Sequence, residues 1–298
     1  MSTATASAII IHFNTDEQTS HLVDRLSSEC GPSLAEIIVV DNGSESPLQL
    51  PSPRNGITIL RMDENAGYAA ACNLGAANAN AEYLLFLNSD LDVHGDQIAP
   101  MIATIEQDSS IGAVGPMLRF EDGGWQLSFG EFPEIRTEMD ERKRQQQSRT
   151  GKGNAYEDRR REAQSTRTVD WLTGAVLLTK ASTFRTLNGF DNRYFFYFED
   201  VDYCKRLHKA GFKCVFTPES TWTHFGGGSQ SSMDFQIQRY YRRGQLRYYS
   251  RHNRRISFFL LKIYLSTVHI RLYITSPKFR SQQHGMIREI LRFPFRTP

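Results

Sequence analysis

Short apolar runs rich in β-branched residues alternate with stretches of helical period through the amino-terminal part of the chain, and few folds absorb that pattern. Each run is too short for a helix and each intervening stretch too long for a turn, so the chain must build β-α-β units around a mostly parallel sheet. Strands are expected at Ala8–Phe13, Glu36–Val40, Ile57–Arg61, Tyr83–Leu87 and Ile111–Val114, with helices at Asp16–Leu26, Gly67–Ala79 and Gln97–Gln107. Right-handed crossovers then bring the strand carboxyl ends to one edge, where open α/β sheets bind ligands. A chain of 298 residues can fill one such domain and still carry an appendage.

From Glu131 to Arg167 the sequence is charged and glutamine-rich with almost no apolar side chain. This stretch is expected to be a mobile insertion that supplies neither a core strand nor a buried helix. Order should resume at Val169, where Trp171-Leu172-Thr173-Gly174 leads into the apolar run Ala175–Leu178. A short helix follows over Ala181–Leu187, a second over Glu199–Lys209, and a strand over Lys213–Phe216. The main domain is placed at residues 1–232 and a basic helical extension at 233–298.

Charge divides along that boundary. Of 35 Lys and Arg residues fourteen follow Asp234, against one, Glu289, of the 33 acids, which leaves the preceding part near −11. Such a tail suits an anionic surface or a solvated pair of basic helices. Phe235–Ser250 reads as a basic, tyrosine-rich helix and Ile256–Tyr273 as a more apolar one. In the latter Phe258, Leu261, Leu265, Val268 and Leu272 form a stripe, with Lys262, Ser266 and His269 on a polar side. The segment reads as too short and too polar to span a bilayer, and suits either a helix in the membrane interface or one packed on the protein. Four scattered cysteines indicate neither a zinc site nor a disulfide framework, and no basic segment precedes Ala8–Ile11 as a signal peptide would require. A cytoplasmic protein, with peripheral attachment to the cytoplasmic face of the membrane, is the expectation.

Five segments carry candidate chemistry. Asp41-Asn42-Gly43-Ser44 ends a strand, where a carboxylate could accept bonds from a ribose or base, or simply shape a turn. Asn65-Ala66-Gly67, with Asn73 further on, opens a helix whose N–H groups could meet a diphosphate; close packing on the sheet explains its small residues as well. Asn88-Ser89-Asp90, with Asp92 beyond, leaves the most hydrophobic strand and could hold a hard divalent cation through oxygen. Glu199, Asp200 and Asp202 open a helix after a run of aromatics, which is the pattern of a general base in a water-poor pocket and also of ordinary acidic capping. His224 beside Gly226-Gly227-Gly228 could ligate a metal or contact phosphate, or be structural.

Taken in order, Asp41-Asn42-Gly43-Ser44, Asn65-Ala66-Gly67 with Asn73, Asn88-Ser89-Asp90, Trp171-Leu172-Thr173-Gly174-Ala175, Phe198-Glu199-Asp200-Val201-Asp202 and His224 resemble glycosyltransferase family 2, particularly its rhamnosyltransferase-like members. The resemblance runs from about Ala8 to Ser231. It implies an α/β GT-A fold, a Rossmann-like mostly parallel sheet with helices on both faces followed by carboxyl-terminal helices. It also implies an inverting transfer of a sugar, rhamnose favoured, from a nucleotide-sugar donor to a saccharide or lipid-linked acceptor. Asp41, Asn65, Gly67, Asn73, Asn88 and Arg206 would serve the nucleotide-sugar, Asp90 and His224 a Mg²⁺ or Mn²⁺ ion, and Trp171, Gly174 and Asp202 the acceptor side. Asp200 would be the base, with Glu199 beside it. Asn88 departs from the D-x-D metal motif, whose first position is usually acidic. Two rivals are a nucleotidyltransferase acting on sugar phosphates, for which no Gly-rich loop with Arg and Lys is present, and a nucleic-acid-binding protein acting through Arg239–Arg255, which the acidic main domain opposes.

Overall fold

The computed structural model describes residues 5–50, 56–138, 160–226 and 235–295. By contact density the chain divides into two compact units, the first comprising Met1–Glu131, Tyr156–Phe195 and Glu199–Gly228, the second Phe132–Ala155, Phe196–Phe198 and Ser229–Pro298.

The first unit is built on strands β1 (Ala6–His12), β2 (Leu34–Asp41), β3 (Ile57–Arg61), β4 (Tyr83–Asn88), β5 (Leu91–Asp92) and β6 (Ile111–Arg119). To these it adds β7 (Trp125–Gln126), β8 (Phe129–Gly130), β9 (Arg167–Val169), β10 (Trp171–Leu172), β11 (Val176–Lys180) and β12 (Lys213–His224). The main sheet runs β3-β2-β1-β4-β11-β6-β12-β5, with β7 on β6 and β9 on β12. Its first four strands are parallel, β11 runs against both neighbours, and β12 returns parallel to β6. The chain winds outward from β1 through β2 to β3, then crosses back to β4 on the other side of β1. Strand order therefore reverses beside β1, and the crevice lies at the carboxyl ends of β1, β2 and β4, at His12, Asp41 and Asn88.

Period-two alternation distributes the helices. Ala8, Ile10, Val39, Leu85 and Leu87 share one core with Leu22, Val23 and Leu26 of α1 (Asp16–Glu29) and Met101 and Ile105 of α3 (Ile98–Glu106). Their neighbours in sequence point the other way. A Cβ on Gly75 of α2 (Tyr68–Asn78) would lie 2.4 Å from Ile9 and 3.2 Å from Val40, so α2 rests on the opposite face with backbone almost on the strand. Phe86 meets Phe184 of α4 (Ala181–Thr186) and Phe190 with ring centroids 4.9 and 5.0 Å apart. Tyr203 of α5 (Glu199–Lys209) hydrogen-bonds with Thr179 at 2.9 Å. Strands buried on both faces read as unbroken apolar runs, and each fully buried Leu contributes roughly 1.5–3 kcal/mol.

The charged stretch differs in part from expectation. Residues 139–159 lie outside the described residues. On the flanks Phe132 and Ala163 are buried, and Arg167 opens β9, which pairs with β12; three residues with one inward side chain, Val169, suffice for an added edge ladder. Strand β12 also runs past Phe216, through an irregular register at Thr217–Thr221, to His224.

In the second unit, α6 (Phe235–His252), α7 (Arg255–Thr275) and α8 (Arg280–Arg292) follow one another. The polarity expected of α7 is corrected. Phe258, Leu261 and Leu265 are buried as expected, but so are Ser266 and His269, because His269 Nδ1 pairs with Gln283 Oε1 of α8 at 2.6 Å. Leu272 is exposed, as are Ile256, Phe259, Leu260, Ile263, Ile270 and Ile274. At 21 residues α7 is also long and apolar enough, by length and composition, to cross a bilayer, contrary to the shorter and more polar segment expected.

Candidate active site

Two turns at the sheet edge bring the predicted residues together. After β4 the chain turns through Ser89 and Asp90 into β5, which pairs with the far end of β12, Leu91 opposite His224. Phe225 N–H donates to Asp90 O at 3.0 Å, and His224 Nε2 lies 3.1 Å from Asp90 Oδ1 and 3.5 Å from the Asn88 amide. The second turn precedes β11. Asn88 N–H donates to Ala175 O at 3.0 Å, and the adjoining Gly174 N–H donates to Asp200 Oδ2 at 2.8 Å. Tyr68 Oη donates to Gly174 O at 2.7 Å. Backbone hydrogen bonds thus tie Asp200 to Gly174, and the adjoining Ala175 to Asn88, whose side-chain amide lies beside the His224 nitrogen that faces Asp90.

Helix α5 supplies Glu199 and Asp200 from its first turn. The chain enters it through Tyr197 and Phe198, both left-handed (φ 70° and 73°), a conformation that costs bulky residues of order 1–3 kcal/mol each. Burial pushes the Glu199 carboxyl far up, and the charge of Asp200 pushes it further; Glu199 Oε2 is buried with no hydrogen-bond partner. Asp200 is raised by burial too, but N–H donation from Gly174 and Val201 opposes the rise. Of the two, Glu199 is raised the more strongly, and Asp200 is the one whose charged form the N–H donors favour.

A cation fits beside Asp90. His224 Nδ1 lies 3.0 Å from Gln126 Oε1; in the tautomer that donates its hydrogen there, the Nε2 lone pair faces the Asp90 carboxylate, an arrangement that a divalent cation satisfies. Both side chains are partly open to solvent, with the Asn88 amide as a neutral third position. Among the described residues no group of three His, Cys, Asp or Glu gathers anywhere. Asp92 is engaged elsewhere, by Arg25 at 3.0 Å and His21 at 3.1 Å.

Several residues singled out from the sequence make contacts within the protein. Arg206, expected at the diphosphate, donates Nε to Asp202 Oδ2, Nη1 to Leu187 O and Nη2 to Gly189 O, each at 2.7 Å. Asp202, expected on the acceptor side, is fully buried. Asn73 clamps Phe190, accepting its N–H at 2.9 Å and donating to its carbonyl at 2.8 Å. Gly67 (φ 91°) admits the protein's own backbone: a Cβ there would lie 2.5 Å from Phe195 O, to which Tyr68 N–H donates at 2.7 Å. Asn65 Oδ1 accepts from Asn42 Nδ2 and from Gly67 N–H. Asp41, almost fully buried, accepts from Ser44 and Leu48 N–H and from Arg61 Nη1 at 2.6 Å. Burial alone would raise its carboxyl; these bonds and the Arg61 charge hold it low. Trp171 stays half-exposed, with Nε1 donating to Glu131 O at 2.9 Å. Phe190 and Tyr194, from the aromatic run, belong to the core.

One further residue at the crevice lies outside these motifs. His12 closes β1 opposite Asp41, fully buried, with Nδ1 2.9 Å from Thr19 Oγ1 and Nε2 without a partner. A histidine ending an otherwise apolar strand at the crevice edge was the available signal.

The mixed sheet, with its switch of strand order beside β1, is a GT-A-like fold. Residues 7–159 match glycosyl transferase family 2, and residues 162–241 match a family described as the N-terminal domain of galactosyltransferase. The chain belongs to glycosyl transferase family 2. It is 31% identical over 202 residues to the N-acetylglucosaminyl-diphospho-decaprenol L-rhamnosyltransferase of Mycobacterium tuberculosis, covering 63% of this chain and 66% of that one. It is 28% identical over 177 residues to the rhamnosyltransferase WbbL of Escherichia coli, covering 58% and 63%. These matches thus span just under two thirds of each relative's length. Among solved structures, GalNAc-T7 with UDP, GalNAc and Mn²⁺ shares the fold at TM-score 0.55 and 17% identity, over 83% of this chain and 51% of that one. The mannosyltransferase PcManGT of Pyrobaculum calidifontis with GDP-Man and Mn²⁺ does so at 0.55 and 14%, over 96% and 69%.

Proposed function

We propose that the protein moves a sugar from a nucleoside-diphosphate donor to a hydroxyl of a saccharide or lipid-linked acceptor in glycan assembly, by one displacement with inversion at the anomeric carbon. The backbone contacts that tie the Asp200 turn to the Asn88–Asp90 turn through Gly174 and Ala175 are the observation that supports this reading, because transfer needs a proton acceptor and a counter-charge for the leaving group in one site. Asp200 takes the acceptor hydroxyl's proton while Gly174 N–H and Val201 N–H hold its carboxylate in place. Glu199, kept neutral, spares the pocket a second negative charge. A Mg²⁺ or Mn²⁺ ion, held by Asp90 and His224 with Asn88 beside them, would supply charge neutralisation for the departing diphosphate. Asp41, Asn65, Gly67, Asn73 and Arg206 act at one remove, shaping the loops that meet the donor. Trp171 offers its exposed ring to the acceptor. Similarity to two rhamnosyltransferases, one named for a decaprenol-linked substrate, favours rhamnose as the sugar and a lipid diphosphate as the acceptor's carrier.

The exposed side of α7 supports contact with a membrane. Ile256, Ile263, Ile270 and Ile274 are 67, 62, 45 and 64% exposed, and Arg254, Arg255, Arg271, Lys278 and Arg280 surround them in sequence. Incubation with nucleotide-sugars, Mn²⁺ and lipid-diphosphate saccharides tests the reaction. Acceptor-dependent release of nucleoside diphosphate is expected. Release of pyrophosphate from a nucleoside triphosphate and a sugar phosphate would instead identify a nucleotidyltransferase and overturn the proposal.

A further inference from the structure

The second unit holds a cleft of about 620 Å³ between α6 and the end of α8. Arg239, Arg243 and Arg247 face it from α6, and Arg288, Arg292 and Glu289 from α8. On α6 the three guanidinium groups stand four residues apart, as do the two on α8, so each ridge repeats a like charge at the helical spacing where repulsion is strongest. Among the described residues lining the cleft, one carboxylate stands beside five arginines. Glu289 is already shared, Oε2 with Arg239 Nε at 2.6 Å and Oε1 with Arg243 Nε at 2.9 Å. No carboxylate among the described residues pairs with Arg288 or Arg292. Phe235 and Phe293 line the same cleft, the latter beneath Arg247, whose guanidinium carbon lies 5.9 Å from the ring centroid.

A surface that gathers like charge at a cost in stability, inside a concavity and with an apolar wall, is made for a polyanion with an apolar attachment. Guanidinium forks match phosphate oxygens in pairs, and two ridges of forks fit two adjoining phosphates better than one. We infer that the cleft between α6 and α8 binds the diphosphate of an isoprenoid-type ester, its first carbons against Phe235 and Phe293. As a diphosphate site it stands without the transfer reaction; as an anchor for the acceptor it rests on that reading. The residues concerned belong to no part of the transfer machinery.

Calorimetric titration with inorganic pyrophosphate and with geranyl diphosphate, in chelator to silence any metal-dependent donor site, tests the inference on the full chain. Both ligands should bind, the geranyl ester more tightly and both less tightly as salt rises. The double substitution Arg288→Gln with Arg292→Gln removes no ion pair among the described residues and should weaken both at least tenfold with melting temperature unchanged or raised. Arg288→Lys with Arg292→Lys, which keeps the charge but not the fork, should fall between. Equal affinity in wild type and the Gln double variant, or no binding in wild type, would overturn the assignment. Loss of binding to phosphatidylglycerol vesicles in the variant, with no affinity for either diphosphate in wild type, would overturn it in favour of a lipid headgroup surface. Because donor binding is read separately, a failure here leaves the transfer reading intact, and absence of transfer leaves this titration unaffected.

Discussion

Glu199 and Asp200 are neighbours in sequence with opposite fates, and the difference lies in two N–H donors. Gly174 and Val201 both donate to Asp200, while Glu199 Oε2 receives nothing in a buried site. A carboxyl whose folded pKa is raised binds protons more readily folded than unfolded. Its burden is therefore absent below the unfolded pKa, grows as pH climbs toward the folded value, and is fully present beyond it. Glu199→Gln should accordingly raise melting temperature at neutral and alkaline pH, with little gain in acid. A gain of roughly 1 kcal/mol would appear as about 2–4 °C in a chain of this size; thermal melts at pH 4 and pH 8 check it. Asp200 is raised as well, and a base is lost as pH falls through its pKa. The acid limb of kcat/KM should lie above the ordinary carboxylate range, and a limb near pH 4 would contradict the assignment.

At the scale of elements, the strands and α-helices up to Ile111, the two-residue β5 apart, were legible because their apolar periods are regular, and their observed bounds differ from expectation by a few residues at most. What surrounds the site was legible by residue type but not always by role. Asp202 and Arg206 stand four apart on α5, a spacing that serves a diphosphate or an internal pair equally well; only the fold shows Arg206 turned onto Leu187 and Gly189. The run past Phe216 to His224 was hidden by the irregular register at Thr217–Thr221, and α8 by its having few apolar residues, of which Met286 and Ile290 are buried. Glu199–Lys209 stood out because acids fill its first turn and basic residues its last. Arg206→Ala strands a fully buried carboxylate and should cost about 3–5 kcal/mol in chemical denaturation, whereas replacing both partners with apolar residues should recover most of that loss. A double variant no more stable than Arg206→Ala would show that the carbonyl contacts to Leu187 and Gly189 dominate.

Over the whole molecule, charge divides between an acidic part up to Asp234 and a basic extension, a division of charge that composition alone shows. Composition misplaced the apolar surface. The stripe from Phe258 to Leu265 is largely spent inside the helical unit, and the isoleucines left outside are the ones available to lipid. Ile263→Glu with Ile270→Glu should reduce sedimentation with anionic vesicles several-fold at low salt, and unchanged sedimentation would remove α7 from the membrane contact. The central claim concerns the two carboxylates joined through Gly174 and Asn88, and one comparison tests it most directly: turnover and Mn²⁺-dependent donor affinity measured side by side in Asp200→Asn and Asp90→Ala. Asp200→Asn should lower turnover by roughly 10²–10⁴ with donor affinity unchanged, and Asp90→Ala should weaken donor binding in Mn²⁺. Full turnover in Asp200→Asn, or donor binding in Asp90→Ala that responds to Mn²⁺ as in wild type, would contradict the account.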